Sequence, residues 1–143
     1  MKVLFIGGTG TISAAISRRV PELGWVLYLL NRGNRNREIG KAGKFIEIAC
    51  DIRAEDEASI AGKIKAALER SRAGQRFDVV ADFIAFTQDH VEKDYRIFRD
   101  LCDQYIFISS ASAYQKPLAS HIVTESTPLA NPFWQYSRNK IAC

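Results

Sequence analysis

The opening ten residues constrain this chain more than any other stretch. Lys2–Ile6 is a short apolar run that stops at Gly7-Gly8-Thr9-Gly10. Such a run reads as a buried strand, and the glycines after it as a tight turn. Ile12, Ala15, Ile16 and Val20 then recur at helical spacing until Pro21–Gly24 interrupts the pattern. A strand feeding a helix through a glycine turn is the first half of a parallel α/β unit.

The same alternation continues. Trp25–Leu30 forms a second apolar run before the polar loop Asn31–Gly40, and Phe45–Ala49 alternates as a third strand. Ile60, Ile64 and Leu68 mark a helix, and Asp78–Ile84 a fourth strand. Val91, Tyr95, Phe98 and Cys102 trace the next helix, with Tyr95 and Phe98 expected in the core, and Tyr105–Ser109 supplies a fifth strand. Right-handed crossovers then predict an α/β fold, a Rossmann-type doubly wound parallel sheet of about five strands in the order 3-2-1-4-5 with helices on both faces. At 143 residues and 47% hydrophobic, the chain holds enough for one core, so residues 1–143 read as one domain. Beyond Ser110, Pro117, Pro128 and Pro132 break the pattern, and a last helix is expected from Pro132 or Phe133. The sequence stops at Cys143 inside that helix, which predicts a truncated domain lacking its C-terminal strands.

Bulk chemistry narrows the partners. No apolar run approaches the ~20 residues of a membrane span. Cys50, Cys102 and Cys143 have no pair-like spacing, so a reduced, cytoplasmic protein is expected. The net charge of +4 is spread along the chain apart from Arg32–Arg37, and no nucleic-acid-binding motif accompanies it. His90 and His121 have no cysteine or carboxylate at ligand spacing, so both read as surface or capping residues and no metal site is expected.

Three places carry chemistry. Gly7-x-x-Gly10-x-x-Ser13 sits where a strand meets a helix. Its backbone can approach a pyrophosphate while the helix start offers free N–H groups, so Gly7, Gly10, Thr11 and Ile12 are expected to hold a dinucleotide. At the end of the second strand, Asn31-Arg32 stand where NAD sites usually place an acidic residue. Arg32 can grip a 2′-phosphate through paired donors, with Arg35 and Arg37 adding positive potential, so NADP is favoured over NAD. Finally, Tyr136 and Lys140 lie one turn apart on one helix face. An ammonium there favours the charged form of a phenol, which suits Tyr136 to exchange a proton with a substrate hydroxyl. Ser109 ends the fifth strand, and Ser110 and Ser112 follow it at the carboxyl edge, where open α/β sheets bind ligands.

In this order the residues resemble the extended short-chain dehydrogenases/reductases of the NAD-dependent epimerase/dehydratase family, including sugar-nucleotide 4-epimerases. The resemblance implies that Ser110, four residues before Tyr114, is the catalytic serine, Tyr136 the acid/base and Lys140 the lysine that holds the nicotinamide ribose. It further implies that Asp51 and Ile52 meet the adenine and that Phe83, Ile84 and Ala85 line the cofactor. Ser13 and Ala85 replace common glycines, and Asn31 replaces the acidic ribose ligand. Family members continue past the lysine into further strands and a substrate lobe, so this chain is expected to be inactive alone. The implied activity is NAD(P)-dependent hydride transfer at a hydroxyl or carbonyl carbon of a small molecule, a sugar nucleotide among the candidates, by a full-length homodimer. The alternative is a non-catalytic NAD(P) sensor or RNA-associated protein on the same fold. Retention of Ser110, Tyr136 and Lys140 favours chemistry.

Overall fold

A computed structural model of the chain describes residues 1–33, 45–71 and 74–143. Arg35 and Arg37 lie outside them. Lys2–Ile6 (β1) pairs in parallel with Val26–Asn31 (β2) on one side and Phe77–Asp82 (β4) on the other. Phe45–Ala49 (β3) extends the sheet beyond β2, and Cys102–Phe107 (β5) extends it beyond β4. The order is β3-β2-β1-β4-β5, all parallel, as the alternation predicts. The reversal of winding direction at β1 and β4 opens a crevice at the carboxyl edge, where ligands of such sheets bind.

One sheet face carries the larger core. Leu4, Ile6, Tyr28, Leu30 and Val80 meet Ile60, Ile64 and Leu68 of Glu57–Ser71 (α2) and Ile97 and Phe98 of Gln88–Phe98 (α3). On the opposite face, Ser13–Glu22 (α1) packs against Val3, Phe5, Leu27 and Leu29 through Val20. Beside α1 an apolar groove of about 370 Å³ runs over Val79, Ala81 and Ile106. No helix among the described residues is long and apolar enough to cross a membrane.

Two helices bury a different face from the one their apolar spacing predicts. In α1 the buried residues are Ser13, Ser17 and Val20, whereas Ile12 is 70% and Ile16 43% exposed. Small hydroxyl residues face inward because the glycine turn lies directly beneath them: a Cβ on Gly8 would sit 3.1 Å from Ser17 Oγ. In α3 the buried positions are Asp94, Ile97 and Phe98, while Tyr95 is 60% exposed and Cys102 already belongs to β5. An aspartate displaces the tyrosine from the core because Arg53 approaches from another element to neutralise it.

The inward serines generate a stability prediction. Ser17→Val should cost about 1–3 kcal/mol in urea denaturation, because a branched side chain must enter a closed helix–turn contact. Tyr95→Ser should stay within about 0.5 kcal/mol of the parent. The reverse ranking would refute this placement of the two helix faces.

Candidate functional site

The turn after β1 is fixed by its own hydroxyls. Ser13 Oγ donates to the Gly7 carbonyl at 2.7 Å and accepts from the Gly10 N–H at 2.9 Å. Ser17 Oγ donates to the Gly8 carbonyl at 2.7 Å. The serine that replaces a third glycine is therefore a stitch across the turn as well as a small residue. Gly7 is the position that demands glycine, with φ 76° and only 2.4 Å between a hypothetical Cβ and Ile84 Cγ2. The Thr11 and Ile12 amides at the start of α1 meet no acceptor among the described residues, and both residues are exposed. Free N–H groups at a helix start are suited to an anion.

Next to this turn lies a cavity of about 610 Å³, a size typical of small-molecule sites. It brings together Gly7, Gly10, Asn31, Arg32, Asp51, Ile52 and Ile84, seven of the residues expected from sequence to meet a dinucleotide. Asn31 is buried, its Oδ1 accepting the Gly33 N–H at 2.8 Å, and its Nδ2 has no partner among the described residues. Arg32 is exposed and makes no ion pair with any described residue. The Phe83 ring is turned away, edge-on to Phe5 at 5.3 Å in the core on the α1 face, and does not line the cavity. Cys50 does line it, but burial, with the neighbouring Glu55 carboxylate, pushes its thiol up to about 11, far from a reactive thiolate.

Sequence reasoning missed the charged cluster beneath this cavity. Asp82 and Asp94 are both fully buried. Arg53 makes paired bonds to Asp94 at 3.0 and 2.6 Å and reaches Asp82 at 3.3 Å. Tyr105 donates its hydroxyl to Asp82 at 2.9 Å. Asp82 Oδ1 accepts the Ile84 and Ala85 amides at 2.8 and 3.0 Å, closing a side-chain-capped turn after β4. Burial, together with Asp82, pushes the Asp94 carboxyl up to about 8 against the opposing pull of Arg53. Only the Asp82-to-Ala85 spacing is local; the remaining partners come from separate elements, so no window of sequence displays them.

Gln135–Ala142 (α4) carries Tyr136 and Lys140 to the same edge. Lys140 is 4% exposed, and its Nζ donates to the carbonyls of Ala85 at 2.6 Å and Ile108 at 2.7 Å. Two of its three protons thus pin α4 onto the turns after β4 and β5, and a third remains for another acceptor. Nζ also lies 4.5 Å from the Phe107 ring centre and 5.8 Å from that of Tyr136. Burial pushes this ammonium below its ordinary range. The Phe86 ring, at the cavity wall, is 6.2 Å from that of Tyr136, which links cavity and phenol.

Ser110 caps the short 3-10 turn Ala111–Ala113, its Oγ accepting the Ser112 N–H at 3.2 Å and lying 2.9 Å from Ser112 Oγ. Ser137, next to Tyr136, donates to Ser112 Oγ at 2.9 Å, and Asn131 Nδ2 bonds the Ser112 carbonyl at 2.8 Å. Ser110 is thus linked through Ser112 to Ser137, the chain neighbour of Tyr136, and no hydrogen bond joins Ser110 to the Tyr136 hydroxyl among the described residues.

Comparison with known proteins adds an independent finding. The model of the NAD dependent epimerase/dehydratase family matches residues 3–143. No curated protein matches the chain by sequence. The fold is similar to the UDP-Glc/GlcNAc 4-epimerase of Campylobacter jejuni, at TM-score 0.72 and 22% identity over 99% of this chain and 46% of that one. It is similar also to UDP-glucose 4-epimerase from Bifidobacterium longum in complex with NAD+ and UDP, at TM-score 0.69 and 22% identity over 99% and 46%. A third likeness is to Pseudomonas aeruginosa RhlG in an NADP active-site complex, at TM-score 0.68 and 16% identity over 99% and 60%. The chain thus spans under half the length of these two epimerases. With the family model matched from Val3 to the last residue, this chain belongs to the NAD dependent epimerase/dehydratase family.

Proposed function

We propose that this chain is the cofactor-binding part of an NADP-dependent oxidoreductase or epimerase, with Ser110, Tyr136 and Lys140 as its acid–base group. The observation that carries the reading is the buried Lys140, held under Tyr136 by the turns after β4 and β5. A lysine serving only as a surface charge would not be desolvated there.

The residues fit a nicotinamide dinucleotide. Gly7 and Gly10 leave room for backbone approach, and among the described residues the Thr11 and Ile12 amides meet no acceptor and Asn31 Nδ2 has no partner. Arg32 at the end of β2 offers paired donors suited to a 2′-phosphate. Asp51 and Ile52 would meet the adenine end, and Ile84 and Phe86 form the cavity wall, while Ala85 contributes through its backbone contact with Lys140. When bound, the nicotinamide supplies hydride transfer. Tyr136 holds or takes the proton at the substrate oxygen, and Ser110 hydrogen-bonds that oxygen. Lys140 keeps its charge near the phenol and has one proton left for a ribose hydroxyl. The epimerases of similar fold make a sugar nucleotide the first substrate class to test.

Two expected outcomes follow from this assignment. Titration calorimetry should show NADP(H) binding about tenfold to a hundredfold more tightly than NAD(H), the worth of one charge-assisted phosphate contact. Arg32→Ala should erase most of that preference; equal or tighter NAD(H) binding by the parent would refute the role of Arg32.

In the full gene product, Tyr136→Phe should remove most turnover of a sugar-nucleotide panel while leaving cofactor affinity nearly unchanged. Lys140→Ala should lower turnover, affinity and melting temperature together, since it also releases α4 from two carbonyls. The 143-residue chain should bind cofactor without useful turnover. Full activity of Tyr136→Phe would contradict the acid–base assignment.

A further inference from the structure

His90 reads from sequence as a surface or capping residue, and the structure gives it a second face. It lies in the first turn of α3, and its Nδ1 accepts the Phe86 N–H at 3.2 Å. An Nδ1 that accepts carries no proton, so the ring is neutral and its one donor is Nε2–H. Burial, with the Arg53 guanidinium nearby, pushes the imidazole below its ordinary range and keeps it in that form. Nε2 has no acceptor among the described residues, yet it is not sealed off from solvent. The residue itself lines the 610 Å³ cavity.

Its position along that cavity identifies what it would meet. Arg53 Nη1 donates to the His90 carbonyl at 3.3 Å, which sets His90 against the Asp51–Arg53 segment. That segment forms the base-binding end in the reading above, on which this inference rests. In that same reading the donors elsewhere are assigned to anions and ribose: Asn31 and Arg32 in the cavity lining, and the helix-start amides of Thr11 and Ile12 beside it. A purine base presents ring nitrogens that are acceptors only, and a neutral imidazole N–H complements them without the desolvation cost of a charged group.

We propose that His90 is a further dinucleotide-contacting residue, whose Nε2–H donates to a ring nitrogen of the adenine base. The Nδ1 bond to Phe86 is then the device that fixes the tautomer. His90 has one nitrogen for the protein and one for the ligand, and these can be separated by substitution. Asparagine places an acceptor near the Nδ1 position and can retain the Phe86 contact while losing the Nε2 donor. Glutamine reaches the Nε2 position with an amide donor.

The test is calorimetric titration of the chain with ADP-ribose, which carries the adenosine end without nicotinamide. His90→Asn should weaken binding about three- to tenfold, the worth of one hydrogen bond, while melting as the parent does. His90→Gln should recover most of the parent affinity. Unchanged affinity in His90→Asn would overturn the proposal, and so would an equal loss in both variants, which would mark the imidazole as only a support for the Phe86 backbone. If the parent itself binds no ADP-ribose, the dinucleotide reading falls as well, a result distinct from either of these.

Discussion

One buried carboxylate, Asp82, holds the working edge of this fold in shape. It ends β4, gathers the amides of Ile84 and Ala85, and receives Tyr105 and Arg53 on its other oxygen. The turn it closes has three consequences. Ile84 occupies the space that a side chain on Gly7 would need, so the turns after β1 and β4 fit against each other. The cavity gains a rigid wall between them. The Ala85 carbonyl is presented to Lys140, which anchors α4 and with it Tyr136. A buried carboxylate of this kind is tolerable only when its lone pairs are filled and a countercharge is near, and Arg53 with three further donors meets that condition.

The glycine turn and the lysine are thus two ends of one construction. Ser13 and Ser17 hold the turn after β1 from the helix side, while Ile84 holds it from the sheet side. Lys140 spends two protons on the backbone, which makes it a structural staple before it is anything else. The same burial that makes it a staple keeps an ammonium close beneath the Tyr136 ring. In the proposed reading structural and chemical duties coincide in this one side chain, so substitution there would disturb both.

Much of this was legible in the sequence, because buried parallel strands announce themselves as apolar runs and glycines punctuate them. The strand order follows from that reading, as do the places of Gly7, Gly10 and Arg32 at strand ends; Asp51 and Ile84 are what the family resemblance implies, and all five residues line one cavity. What misled was apolar periodicity taken as a guide to the buried helix face. Ile12 and Ile16 outweigh Ser13 and Ser17 by hydropathy, yet close approach to the glycine turn selects the serines. Tyr95 outweighs Asp94 in the same way, and an arginine 41 residues away reverses the choice. Such pairings are formed by the fold, so they become visible only once the elements are placed. His90 belongs to this group, since its link to Arg53 spans 37 residues.

The central claim is that a dinucleotide occupies the carboxyl-edge cavity between the turns after β1 and β4. At 16.1 kDa the chain is well suited to amide-resolved NMR, which reports each backbone N–H separately. Titration with NADP should shift the resonances of Gly7–Ile12, Arg32, Asp51–Arg53 and Ile84–Phe86, and leave Val79 and Ile106 in the apolar groove unmoved. Absence of saturable shifts, or shifts centred on that groove, would contradict the account.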